Sequence, residues 1–169
     1  LTKDEVIKLL GMQPLAEEGG MYRKMFRSDE TYPAEMLKGR TGPHVLYGSI
    51  LYLLTRDSVS RMHRLPTDEI WHFYMGASCE TTVLYPDGTC RVNRLGQDLA
   101  HGETVTAMVP RGCWQGTRIV GEGDWALLGT TMAPDYEEID YEDGTDALLE
   151  QYPEYCEELS ALLKRPEME

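Results

Sequence analysis

An imidazole and a carboxylate stand on either side of a short turn near the middle of the chain. His63 lies in Ser60-Arg61-Met62-His63-Arg64, Pro66-Thr67-Asp68 turns the backbone, and Glu69 begins Glu69-Ile70-Trp71-His72-Phe73-Tyr74-Met75. Side chains that face each other across such a turn can converge on one hollow. This pair supports two chemistries there, metal ligation and acid–base catalysis. A second turn, Pro110-Arg111-Gly112, leads into Cys113-Trp114-Gln115-Gly116-Thr117, where Cys113, Gln115 and Thr117 share one strand face. His63 and Glu69 are therefore the candidate catalytic pair, with Arg61 and Gln115 as polar ligand contacts. Tyr52, Trp71 and Phe73 are candidate aromatic walls of the same pocket. The plainer reading of these rings, and of Trp114 and Trp125, is core packing. As metal ligands the set would be His63, Glu69 and Gln115 with waters, and glutamine is a weak ligand for a transition metal. His72 has the opposite strand parity from Glu69 and reads as a packing or interface residue. His44 and His101 read as solvated loop residues.

The elements that must position these groups are short and separated by turn signals. Strands are expected at Met21–Arg27, Val45–Leu54, Ser58–Arg64, Glu69–Met75, Cys79–Tyr85, Thr89–Leu95, Thr104–Val109, Cys113–Val120 and Asp124–Met132. From Val45 on, that spacing points to an antiparallel sandwich or barrel. Thr2 caps a helix over Lys3–Leu10, with Glu5 as its capping-box partner and Gly11 as its stop. Residues 28–43 read as irregular. After Pro134, Asp146–Glu150 and Tyr155–Leu163 read as helices, with Leu148, Leu149, Leu159, Leu162 and Leu163 as packing positions. The chain divides into an N-terminal helix and arm (1–43), a β-barrel (44–133) and a helical tail (134–169), all of one domain. Bulky residues on both faces of Glu69–Met75 imply cover from another element or a second subunit, and hence a homodimer.

Composition narrows the function classes. At 41% hydrophobic residues, the chain has enough apolar content for a packed core. The net charge of −13 is concentrated after residue 133, where thirteen acids face only Lys164 and Arg165. This argues against nucleic-acid binding, and the tail reads as a solvated acidic helix. No run of about 18 apolar residues points to a membrane span, and no apolar segment follows the charged start Leu1–Glu5, so no secretory leader is expected. Cys79, Cys90, Cys113 and Cys156 form no C-x-x-C pair and read as reduced thiols of a cytoplasmic protein.

The two turns resemble the motifs of the cupin superfamily. Its first motif has His-x-His, then Glu and Gly at fixed distances; its second has Pro-x-Gly-x-x-His. His63, Glu69 and Gly76 match the first spacing, and Pro110-Arg111-Gly112 matches the second. Leu65 and Gln115 stand where two of the family's metal-binding histidines would be. The segments Pro14 to Tyr22 with Glu18-Gly19-Gly20, His63-Arg64 through Asp68-Glu69-Ile70-Trp71-His72-Phe73, and Pro110 to Gln115 are similar to one cupin subfamily of mostly unassigned function, over roughly residues 9–135. The resemblance implies an all-β double-stranded β-helix (a jelly-roll barrel), a homodimer and a pocket inside the barrel. The subfamily looks close to metal-free epimerases of nucleotide-linked deoxysugars. Glu18-Gly19-Gly20 is a tight loop entering a strand, or a pocket lid.

Three functions follow as expectations. The first is binding, with isomerisation or epimerisation, of a small sugar- or keto-acid-like metabolite. Here His63 is the base, Glu69 holds its tautomer or binds substrate hydroxyls, and no metal is obligatory. The second is a non-enzymatic small-molecule-binding module. The third is a cupin enzyme dependent on a divalent metal, such as an oxygenase, which the two lost imidazoles rank last.

Overall fold

Alternation along Glu69–Met75 sets the inside and outside of the molecule. In the computed structural model, which describes residues 1–40 and 42–163, Glu69, Trp71 and Phe73 are buried while Ile70 and Tyr74 are exposed. The chain begins with α1 (Lys3–Leu10), capped reciprocally by Thr2 and Glu5 and ended by left-handed Gly11. The strands are β1 (Gln13–Pro14), β2 (Met21–Arg27), β3 (Thr31–Tyr32), β4 (His44–Val45), β5 (Gly48–Thr55), β6 (Ser60–Arg64), β7 (Glu69–Gly76), β8 (Cys79–Leu84), β9 (Cys90–Leu95), β10 (Thr106–Val109), β11 (Trp114–Ile119), β12 (Trp125–Met132) and β13 (Glu142–Asp143). Helices α2 (Ala147–Gln151) and α3 (Cys156–Ser160) follow.

One sheet has the order β1-β2-β5-β12-β7-β10 and the other β13-β6-β11-β8-β9, while β3 and β4 form a separate pair. The main core lies between the two large sheets and includes Tyr52, Leu54, Trp71, Phe73 and Leu128 from the first and Val83 and Leu95 from the second. This is the expected all-β jelly-roll barrel. Among the described residues, no helix is long and apolar enough to cross a membrane.

The outer faces are covered differently. Helix α1 sets Val6, with Met12 beyond it, against Leu53 and Leu127 on the first sheet. Farther along that face, Ile70, Tyr74 and Met108 remain exposed in the single chain. The tail covers the second sheet: Leu148, Tyr152, Leu159, Leu162 and Leu163 bury against Met62, Leu84 and Trp114. The tail is therefore not the solvated acidic helix its charge predicts. Its leucines occupy the predicted packing positions, and Glu142, Asp143, Asp146, Glu150, Glu154 and Glu157 are exposed; residues 164–169 lie outside the described ones.

Several features differ from the sequence reading. Val45–Leu54 is broken between β4 and β5, and Gly48 restarts the strand where the Asp135 carboxylate leaves no room for a Cβ. Thr104 forms a bridge to Leu95 before β10 begins. His44 is buried rather than solvated, because Asp140 pairs with both its Nε2 (3.2 Å) and Arg40 (3.1 Å), and Arg40 also bonds the Pro66 carbonyl and Thr67. This network fastens the arm to the turn between β6 and β7. Cys79 and Cys90 do not face each other across the β8–β9 ladder, and all four cysteines are free thiols.

Because Leu159 is fully buried under the tail, Leu159→Ala should lower unfolding free energy by about 2–5 kcal/mol. Urea titration followed by circular dichroism measures this. A loss below about 0.5 kcal/mol would mean that the tail does not unfold with the barrel.

Candidate functional site

Strand β6 carries an irregularity that places the site. Gln115 on β11 lies opposite His63, but Thr117, two residues later, lies opposite Ser60, three residues earlier. Paired residues share a face, so the extra residue turns both Ser60 and His63 toward the barrel side that Gln115 and Thr117 also face. Both are buried. Glu69 opens β7 in register with Val109 and Met132. Gln115 reaches it from the other sheet, donating from Nε2 to Glu69 Oε2 at 2.7 Å, while its Oε1 accepts the Trp71 indole N–H at 2.9 Å.

His63 and Glu69 are joined by a residue outside the predicted set. Glu18 comes from the loop before β2. Its Oε1 accepts the Ser60 hydroxyl, and its Oε2 lies 4.0 Å from His63 Nε2. That nitrogen is buried and has no hydrogen-bond partner among the described residues. The other ring nitrogen, Nδ1, is 2.7 Å from the Arg61 carbonyl, which can only accept, so Nδ1 carries the hydrogen and Nε2 is left as the basic atom. The tautomer is thus set by a main-chain carbonyl and not, as the sequence reading has it, by Glu69. Tyr141 stacks on the imidazole at 5.4 Å, and burial raises its phenol well above the ordinary range, assisted by Glu18 and Asp143.

The Glu18 loop is held at several points. The Arg61 N–H donates to the Glu18 carbonyl (2.8 Å), its guanidinium bonds the Ala16 and Glu17 carbonyls, and the Tyr52 hydroxyl bonds the Gly19 carbonyl (2.7 Å). Gly19 has φ 99°, and a Cβ there would lie 2.3 Å from the Val59 carbonyl oxygen, so the close approach requires glycine.

Glu18 and Glu69 open onto a cavity of about 460 Å³, of the size that holds a small metabolite. Its lining includes Leu15, Tyr22, Phe26, Ile50 and Tyr141, with Glu17, Lys24, Arg27, Asp135, Glu137 and Glu138 as further charged groups. Of the predicted residues, only Glu69 reaches this surface. His63 lies behind Glu18 and Gln115 behind Glu69. Arg61 holds the loop, and Tyr52, Trp71 and Phe73 belong to the core. Glu18, Tyr136 and Tyr141 were missed as site residues; only the Glu18-Gly19-Gly20 signature offered a signal.

Glu69 is the perturbed acid. Burial, then the nearby Glu18 carboxylate, raise it to about 6, against the opposing pull of His63, Thr130 and Gln115. The residues do not fit the metal site implied by the fold. Leu65 has no donor atom, the Gln115 oxygen is turned to Trp71, and the amide NH2 faces Glu69. Among the described residues, no three His, Cys, Asp or Glu side chains are grouped to hold a metal ion.

Residues 4–143 match the family described as cupin superfamily (DUF985), and the chain belongs to it. Protein SO0799 from Shewanella oneidensis is similar to it at 31% identity, covering 98% of this chain and 99% of that one, with a TM-score of 0.87. A hypothetical protein from Leishmania major is similar at 25% identity over 98% and 100% of the two chains, with a TM-score of 0.88. Oxalate decarboxylase from Bacillus subtilis shares the fold at 15% identity and TM-score 0.54, over 90% of this chain and 37% of that one. No curated protein matches the chain.

The folded state favours protonated Glu69. Its stabilising contribution is therefore fully present below a pH of about 4.5 and is lost as pH rises through about 6, an effect on the order of 2 kcal/mol. Urea unfolding at stepped pH should show this fall in the native protein and a flat profile in Glu69→Gln. A native profile that rises across the interval would overturn the assignment.

Proposed function

With membership of the DUF985 cupins as premise, we propose that this protein binds a small polyhydroxylated metabolite in the barrel cavity and moves a proton on it, as an isomerase or epimerase that works without an obligatory metal. The observation that carries this reading is the unpartnered, buried Nε2 of His63 behind the Glu18 carboxylate, beside a second carboxylate whose proton affinity is raised toward neutrality.

In this reading Glu18 touches the ligand and His63 backs it. Glu18 takes the proton from the carbon next to the ligand carbonyl, and the electron pair of the broken C–H bond moves into an enolate. The abstracted proton is shared with His63 Nε2, whose lack of a partner it satisfies. Protonated Glu69 donates a hydrogen bond to the enolate oxygen. Returning the proton to the opposite face gives an epimer; returning it to the former carbonyl carbon, while Glu69 protonates the enolate oxygen and takes the proton of the neighbouring hydroxyl as that carbon becomes the new carbonyl, gives an isomer. The four free thiols fit a reducing, cytoplasmic setting.

Proton NMR in deuterium oxide tests the proposal on a panel of neutral and amino pentoses and hexoses. Enzyme-dependent exchange at the carbon next to the carbonyl should persist in EDTA. It should fall at least about 100-fold in His63→Asn and in Glu18→Gln. Exchange abolished by EDTA and restored by a divalent ion would support the metal-dependent reading instead. Binding without exchange would support the non-enzymatic one.

A further inference from the structure

We infer that the cavity selects a positively charged ligand, a hydroxylated primary amine of hexosamine size, over neutral and anionic counterparts. The inference deepens the function proposed above and rests on the same cavity as the ligand site. Its basis is the charge on the walls. Among the described residues, Glu17, Glu18, Glu69, Asp135, Glu137 and Glu138 line the cavity against Lys24 and Arg27. Arg27 is already matched, with Nε 2.9 Å from Asp135 and its terminal nitrogen 3.3 Å from Glu137. Four carboxyl groups and one ammonium then remain to meet a ligand.

These carboxylates act on common neighbours. The Tyr136 phenol is raised to about 12 by burial first and then by Glu18, Glu138 and Glu17. Glu18 likewise raises Glu69 and Tyr141. Burial accounts for the larger part of these rises; the part due to Glu17, Glu18 and Glu138 reflects negative potential on the walls, which a cation entering the cavity relieves. The buried Nε2 of His63 is a second, independent sign that a proton or cation belongs beside Glu18, since it is a polar atom facing that carboxylate with no partner. Tyr22, Tyr136 and Tyr141 add aromatic faces suited to an ammonium group. An anionic sugar or keto acid would meet repulsion from the same walls.

Isothermal titration calorimetry with D-glucosamine, D-glucose and D-glucuronate tests the charge preference on one skeleton. At a pH of about 6.5, where the amine is largely protonated, and at low salt, glucosamine should bind at least about 10-fold more tightly than glucuronate, with glucose between them. The preference should shrink with added salt and in the Glu17→Gln/Glu138→Gln variant, whose changes lie at exposed positions. Equal affinities, tighter binding of glucuronate, failure of glucosamine to bind, or a preference unaltered in the variant would each overturn the inference. Proton exchange on neutral sugars without charge preference would overturn this inference and leave the catalytic reading standing. Glucosamine binding without exchange would do the reverse.

Discussion

The two sheets of the barrel are tied together at the site by one hydrogen-bonded chain. Trp71 and Glu69 lie on β7 of the first sheet, and Gln115 reaches both from β11 of the second, accepting from the indole and donating to the carboxylate. Each member satisfies the next, which matters because an unpaired polar group in this environment costs more than its bond returns. The chain also determines what Glu69 can do. One oxygen is committed to Gln115, burial disfavours its charge, and Glu18 disfavours it further. The carboxyl therefore titrates close to neutrality while keeping a fixed position. Glutamine at position 115 supplies the amide that holds an acid in place.

The remaining parts of the site are arranged around that fixed carboxyl. The bulge in β6 turns Ser60 and His63 to one side, the glycines of the loop before β2 let Glu18 approach β6, and Tyr141 returns from the tail to stack on the imidazole. Three distant segments supply these four groups. Arg61 links two of them, because its main-chain carbonyl orients His63 while its guanidinium holds the loop that carries Glu18.

Legibility in the sequence followed contact range. The spacing of His63, Glu69 and Gly76 and the Pro110-Arg111-Gly112 turn are local patterns; in the structure Gln115 lies opposite His63 and bonds Glu69, and of the three Glu69 lines the cavity. The capping box at Thr2 and Glu5 was legible for the same reason. Glu18 and Tyr141 reach the site only through long-range folding; the Glu18-Gly19-Gly20 signature marked the loop but not the contact with His63, and nothing adjacent to Tyr141 in sequence marked its role. Tyr52, Trp71 and Phe73 were candidates for the pocket wall with core packing as the plainer reading, and in the structure they lie in the core where the sheets meet. His44 and the tail were read from local polarity, and both are buried by partners far along the chain.

The tail also changes the status of β6. Strand β13 pairs with Arg64 and His63, the Met62 N–H donates to the Leu162 carbonyl at 2.8 Å, and the Met62 carbonyl accepts from Gly144 at 2.7 Å. These bonds occupy main-chain groups that a sheet edge would otherwise offer to any passing strand. A proteolytic nick that released the segment would uncover that edge and the apolar ring of Trp114 together. The acidic strap thus doubles as a guard against intermolecular sheet growth, and its dense negative charge keeps neighbouring molecules apart.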